Sequence, residues 1–142
     1  MKIQRTSSVQ WQGGLKDGKG AITTASGALS SYPYGFASRF EGVAGSNPEE
    51  LLAAAHAACF TMALTLVLTE AGMAPETLDT KAVVTLEQGD GGFFIPRVDL
   101  TLRASIPGAD DAAFQAAAAA AKANCPLSKV LNAEITLDAA LG

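Results

Sequence analysis

Two cysteines, Cys59 and Cys125, and a single histidine, His56, are the residues whose chemistry stands out in this sequence. Cys125 lies in Asn124-Cys125-Pro126-Leu127-Ser128-Lys129, where Pro126 suits the first turn of a helix and Cys125 the position just before it. Free amides and the helix dipole at that end favour a thiolate, so Cys125 is a reactive-thiol candidate; the competing reading is a small apolar cap. Cys59 lies within an apolar helical stretch, His56-Ala57-Ala58-Cys59-Phe60, where a thiol is commonly an inert core residue. A mid-helix thiol gains nothing from the dipole, so its activation needs a cation. Arg39, in the Gly-flanked segment Ser38-Arg39-Phe40-Glu41-Gly42, is the upstream candidate. His56 stands three residues before Cys59, on a neighbouring part of the helix surface, which leaves a Cys-His hydrolase or acyl-transferase dyad open.

Other chemistries fit poorly. Gly13-Gly14-Leu15-Lys16-Asp17-Gly18-Lys19-Gly20 nearly spells a phosphate-binding loop, but Gly20 occupies the Ser/Thr position and a strand pattern, rather than a helix, follows. One histidine and two distant cysteines give no metal-ligand spacing, and neither a metal nor a cofactor is expected. The ten basic residues are scattered and the formal net charge is -4, which argues against a nucleic-acid partner.

These residues have to be positioned by a chain of 142 residues, 49% hydrophobic and 17% charged, the size of one domain (1–142) with a real core. Such a low charged fraction points to an oligomer. After Met1-Lys2-Ile3-Gln4-Arg5 the chain is polar where a signal peptide would be apolar, so a cytoplasmic location is expected. Ser8–Trp11 and Ala21–Thr24 alternate around the turn-forming Asp17-Gly18 and predict a hairpin, followed by extended or looped chain to Phe40. Asn47 as N-cap, Pro48 at the first position and Glu50 three residues after the cap start a helix that should run to Ala71 and stop at Gly72. Its apolar run, Leu51 to Leu68, approaches membrane-spanning length, but His56 and several Thr within it favour a core helix, buried on all sides. Thr77–Glu87 and Phe93–Ile106 read as strands, the second with Val98, Leu100, Leu102, Ala104 and Ile106 on its core face. Asp110-Asp111 opens an Ala-rich helix to about Ala123, a short helix starts at Pro126, and Glu134–Leu141 is a last strand. The class is α+β.

Several stretches resemble the osmotically inducible protein C (OsmC) family, which is similar to the organic hydroperoxide resistance proteins. They are Pro33-Tyr34-Gly35-Phe36, Ser38-Arg39-Phe40-Glu41-Gly42, Asn47-Pro48-Glu49-Glu50-Leu51, Ala54-Ala55-His56-Ala57-Ala58-Cys59-Phe60, Cys125-Pro126-Leu127-Ser128-Lys129-Val130-Leu131 and Ala133-Glu134-Ile135-Thr136-Leu137, spread over nearly the whole chain. The resemblance implies antiparallel sheets around a long buried central helix, an intertwined homodimer, and a peroxidase that reduces organic hydroperoxides in preference to hydrogen peroxide in oxidative or osmotic stress defence. It implies that Cys59 attacks the peroxide, that Cys125 resolves the product as a disulfide, and that Arg39 and Glu49 assist the first thiol. An external dithiol, of dihydrolipoyl type by the same resemblance, completes the cycle. Phe36, Phe40, Phe60 and His56 are candidates to line a substrate pocket; plain core packing is the alternative for the three phenylalanines, slightly more so for Phe60 than for Phe36. Glu49 and Cys59 stand ten positions apart on one helix, a rise of roughly 15 Å, so Glu49 must act either from the partner subunit, the favoured reading, or through Arg39. The remaining rivals are the Cys-His hydrolase and a non-catalytic dimer that binds an apolar ligand.

Overall fold

The glycine-rich stretch after Trp11 is a hairpin turn. It joins strand β1 (Ser7–Gln12) to strand β2 (Lys19–Thr24), which pair antiparallel with Trp11 opposite Gly20. Gly18 is required there, because a Cβ would lie 2.1 Å from the Gly14 carbonyl oxygen. A strand follows this turn, so no helix N-terminus meets the glycines. The computed structural model describes residues 1–142 throughout, and its backbone gathers into two units, residues 1–51 and 52–142.

In the first unit a third strand, β3 (Tyr32–Tyr34), adds antiparallel to β2. The segment expected to be extended or looped as far as Phe40 instead contains a short helix, α1 (Phe36–Phe40). Five residues are too few for a periodic pattern to reveal a helix. The turn is held by Ser38: its Oγ accepts from the Gly35 N–H at 2.9 Å and donates to the Ser46 carbonyl at 2.8 Å.

Helix α2 (Pro48–Glu70) begins as expected, with Asn47 Oδ1 accepting the Glu50 N–H at 2.8 Å. It ends in the paired bonds of a glycine-terminated helix. Gly72, at φ +74°, donates to the Thr69 carbonyl at 3.1 Å, and Met73 donates to that of Leu68 at 2.8 Å.

The second unit carries β4 (Thr77–Gly89), β5 (Gly92–Ser105), α3 (Asp111–Asn124), α4 (Pro126–Val130) and β6 (Glu134–Leu141). β4 and β5 pair antiparallel, with a register shift between Thr85 and Glu87. β6 lies on the other side of β5 and runs parallel to it, Val98 opposite Ile135 and Leu100 opposite Leu137. The expected antiparallel pairing holds for β1–β2, β2–β3 and β4–β5, and the parallel β6 makes this second sheet mixed. The helical crossover through α3 and α4 is long enough to return the chain in the same direction.

The core follows from the alternation in β5. Val98, Leu100, Leu102 and Ala104 point inward and join Phe60, Leu64 and Leu68 of α2 and Phe114, Ala117, Ala118 and Ala121 of α3. The alanines let α3 approach closely. The four-residue spacing of His56, Phe60, Leu64 and Leu68 makes one buried stripe along α2. The helix is apolar all round, yet the chain covers it along this stripe and leaves Met62 at 77% and Leu66 at 60% exposure. Burial on all sides does not hold within the second unit, because its one sheet and α3 reach only one face of α2.

Candidate active site

Cys125 sits where two helices meet. The residue before a proline is pushed into extended conformation, and Cys125, at φ −55° and ψ 125°, ends α3 and starts α4 at once. Its N–H donates to the Ala121 carbonyl at 2.9 Å and its own carbonyl accepts from the Lys129 N–H at 3.1 Å. The backbone is thus tied on both sides, and the thiol is fully buried.

The two cysteines are free thiols in hydrogen-bond contact with each other. Cys59 is half-buried, so of the pair it is the one a reagent can reach. Burial pushes its thiol above the ordinary value, the contact with Cys125 adds to this, and the Leu127 amide opposes it by favouring the thiolate. Within its own unit, then, Cys59 is a poor nucleophile near neutral pH.

Beside Cys59 lies an open, largely apolar cavity of about 690 Å³, bordered by Met62, Leu66, Val67, Asn124 and Pro126. From Cys59 the lining residues of α2 follow the steps i, i+3, i+4, i+7 and i+8, through Met62, Ala63, Leu66 and Val67. Projecting the helix from Cys59 would have found this face.

Phe60 is fully buried in the core, which corrects its candidacy as a pocket residue in favour of core packing. Phe36 and Phe40 belong to the first unit and pack against each other, ring centroids 4.9 Å apart and planes tilted by 48°. His56 is also fully buried, so it presents no surface to a substrate. Its Nε2 lies 2.9 Å from Ser128 Oγ, and its Nδ1 has no partner. Nε2 pairs with a serine and Nδ1 with nothing, so neither ring nitrogen engages Cys59 and the Cys59-His56 dyad open to sequence reasoning is not assembled.

Burial also lowers the His56 pKa. A base with a depressed folded-state pKa contributes stability that is present above the ordinary imidazole value, about 6.5, and is lost as pH falls through the depressed value. Chemical-denaturation midpoints should therefore decline from about pH 6.5 to pH 5, where most carboxylates stay ionised. In His56→Gln that decline should disappear; an unchanged decline would locate it elsewhere.

In the first unit Arg39 lies in the last turn of α1 and Glu49 occupies the first turn of α2. Arg39 Nε donates to Glu49 Oε2 at 3.2 Å and Nη2 to Oε1 at 2.5 Å, a two-point pairing. Glu49 is therefore engaged by the arginine of its own chain. An ion pair whose arginine side chain is 33% exposed adds little stability, so its main consequence is to fix where the guanidinium points. No group of three or more His, Cys, Asp or Glu side chains is arranged to hold a metal ion.

Comparison with known proteins adds to this geometry. The family described as OsmC-like protein matches residues 41–140. The chain is 51% identical to the peroxiredoxin OsmC of Escherichia coli (strain K12) over 138 residues, 97% of this chain and 96% of that protein. It is 30% identical to the organic hydroperoxide resistance protein OhrB of Bacillus subtilis (strain 168), over 92% of each. The crystal structure of OhrB superimposes with a TM-score of 0.71 at 32% identity, covering 95% of this chain and 98% of that one. An organic hydroperoxide resistance protein from Elizabethkingia anophelis superimposes with a TM-score of 0.73 at 29% identity over the whole of both chains.

Proposed function

The chain belongs to the OsmC family, and from that premise we propose that it is a thiol-dependent peroxidase that reduces organic hydroperoxides to alcohols. The observation that carries the reading is the direct contact of two free thiols, one reachable beside an apolar cavity and the other buried behind it. Cys59, as thiolate, attacks the distal peroxide oxygen. The O–O bond breaks, the departing alkoxide takes a proton to become the alcohol, and Cys59 is left as a sulfenic acid. The Cys125 sulfur then attacks that sulfenic sulfur, forming the disulfide and releasing water. An external dithiol, for which a dihydrolipoyl group is our choice, reduces the disulfide by exchange.

Arg39 stabilises the Cys59 thiolate in this scheme, and Glu49 aims the guanidinium. Residues 1–142 thereby act as one functional domain. The apolar cavity suits the organic part of the substrate, so cumene hydroperoxide should be consumed faster than hydrogen peroxide by reduced protein supplied with a dithiol. Equal rates would remove the cavity's role in selection. No consumption of either would end the peroxidase reading.

We further propose a homodimer. Met62 and Leu66 leave a strongly apolar helix face in water, and a second copy laid over it would also roof the cavity. The free cysteines suit a reducing compartment, the cytoplasm.

A further inference from the structure

The peroxidase scheme uses both thiols and leaves one buried polar pair without a task. His56 precedes Cys59 by three residues on α2, and Ser128 follows Cys125 by three residues in α4. Their hydrogen bond, 2.9 Å between Nε2 and Oγ, therefore joins the same two elements that carry the thiols, about one turn away from each sulfur. It is the one side-chain to side-chain hydrogen bond between α2 and α4.

α4 needs such a tie. It is five residues long, and none of them is fully buried. A helix this short has little stability of its own. Yet it carries the Leu127 amide that favours the Cys59 thiolate, and it follows directly on Cys125. A small rotation of α4 would move both.

The histidine ring is suited to a fixed, one-sided contact. With the proton on Nε2 it donates to Ser128, and the unpartnered Nδ1 is then a bare acceptor, less costly to bury than a bare N–H. Full burial keeps water from competing for the bond.

We propose that the His56–Ser128 hydrogen bond is a latch that holds Cys125 against Cys59 for disulfide closure, which makes His56 and Ser128 positioning residues for the resolving step. The inference rests on the peroxidase reading above. The step it serves is balanced: Cys59 S–OH and Cys125 S–H form one S–S bond and release one water, and the hydroperoxide has already supplied the oxidation. Loosening the latch should slow the condensation most, because the attack on peroxide depends on α4 only through the single Leu127 amide, so the sulfenic acid lives longer.

The test uses the full chain, reduced, with one equivalent of cumene hydroperoxide and an excess of dimedone, a sulfenic-acid trap. Mass spectrometry then divides Cys59 between dimedone adduct and Cys59–Cys125 disulfide. Ser128→Ala should raise the adduct-to-disulfide ratio about fivefold to tenfold, the effect of one lost buried hydrogen bond. The rate of peroxide consumption in the first turnover should fall by less than the ratio rises. Ser128→Thr, which keeps the hydroxyl, should restore the wild-type ratio. His56→Gln places an amide near the Nε2 position and should lie close to wild type, whereas the shorter His56→Asn should behave like Ser128→Ala.

Should Ser128→Ala fail to fold, the Gln and Asn variants decide between them, and equal ratios in those two overturn the latch. A wild-type ratio in folded Ser128→Ala also overturns it while leaving the peroxidase reading standing. Neither adduct nor disulfide in the wild-type protein overturns that reading, and the latch with it.

Discussion

Cys59→Ser should lose hydroperoxide reduction by roughly a thousandfold or more, to the uncatalysed background, while Cys125→Ser should complete one turnover and then stall. The asymmetry follows from which sulfur can be reached. Cys59 is half-buried beside the apolar cavity, whereas Cys125 is fully buried at the α3–α4 junction. A serine hydroxyl at position 59 is held protonated far more firmly than a thiol and is a weak nucleophile toward peroxide oxygen. Without Cys125 the first step is intact, so one alcohol per Cys59 should appear in a burst. The sulfenic acid then has no internal thiol to condense with, and a second peroxide carries it to sulfinic acid. Burst-phase alcohol yield and the intact mass of the product check both arms. A Cys125→Ser variant that turns over like wild type, with no loss of recycling, would instead favour a chemistry in which Cys125 takes no part.

Removing the guanidinium of Arg39 should have the next largest effect. Burial and the neighbouring Cys125 hold the Cys59 thiol above its ordinary pKa, and the Leu127 amide only partly opposes them. The thiolate is the reacting form, so its fraction at neutral pH limits the rate until a cation stabilises it. A close opposite charge lowers a pKa by about 1 to 3. Arg39→Met should therefore raise the pH midpoint of Cys59 alkylation by about that amount and reduce peroxidase activity near pH 7 by roughly tenfold to a thousandfold. Glu49→Gln keeps the cation and weakens the two-point pairing that aims it, so its effect should be smaller and in the same direction. Arg39→Lys keeps charge but cannot reproduce the fork, and should fall between the two. Alkylation rates followed against pH give the midpoints directly. An unchanged midpoint in Arg39→Met would take Arg39 out of thiol activation.

Much of the framework was legible because single residues announce element ends. Asn47, Pro48 and Glu50 started α2, Gly72 ended it, and Asp110 capped α3, each through a local backbone requirement that a few neighbouring residues express. The strict alternation from Val98 to Ala104 likewise marked the core face of β5. Helix α1 was not legible, because its turn is closed by Ser38 reaching the Ser46 carbonyl, a contact between segments with no shared pattern. Neither was the direction of β6, since an alternating strand reads the same whether its neighbour runs with it or against it.

The site divides in the same way. Local physics selected Cys125, the thiol beside a proline at a helix start, and gave Cys59 no advantage. The contact between them, and the His56–Ser128 bond alongside, join residues far apart in the chain, and no local pattern encodes such pairings. Family resemblance had indicated the cysteine pair; nothing in the sequence pointed to the histidine's partner. Phe60 falls on the buried stripe of α2, while the plainer Met62 and Leu66 border the cavity beside Cys59.

The central claim is that Cys59 and Cys125 form one redox pair, and thiol mapping after a single oxidation tests it most directly. Fully reduced protein treated with one equivalent of tert-butyl hydroperoxide, then alkylated and digested, should yield a Cys59–Cys125 disulfide peptide from within one chain and one equivalent of tert-butanol. Both thiols recovered alkylated, with the hydroperoxide unconsumed, would contradict it.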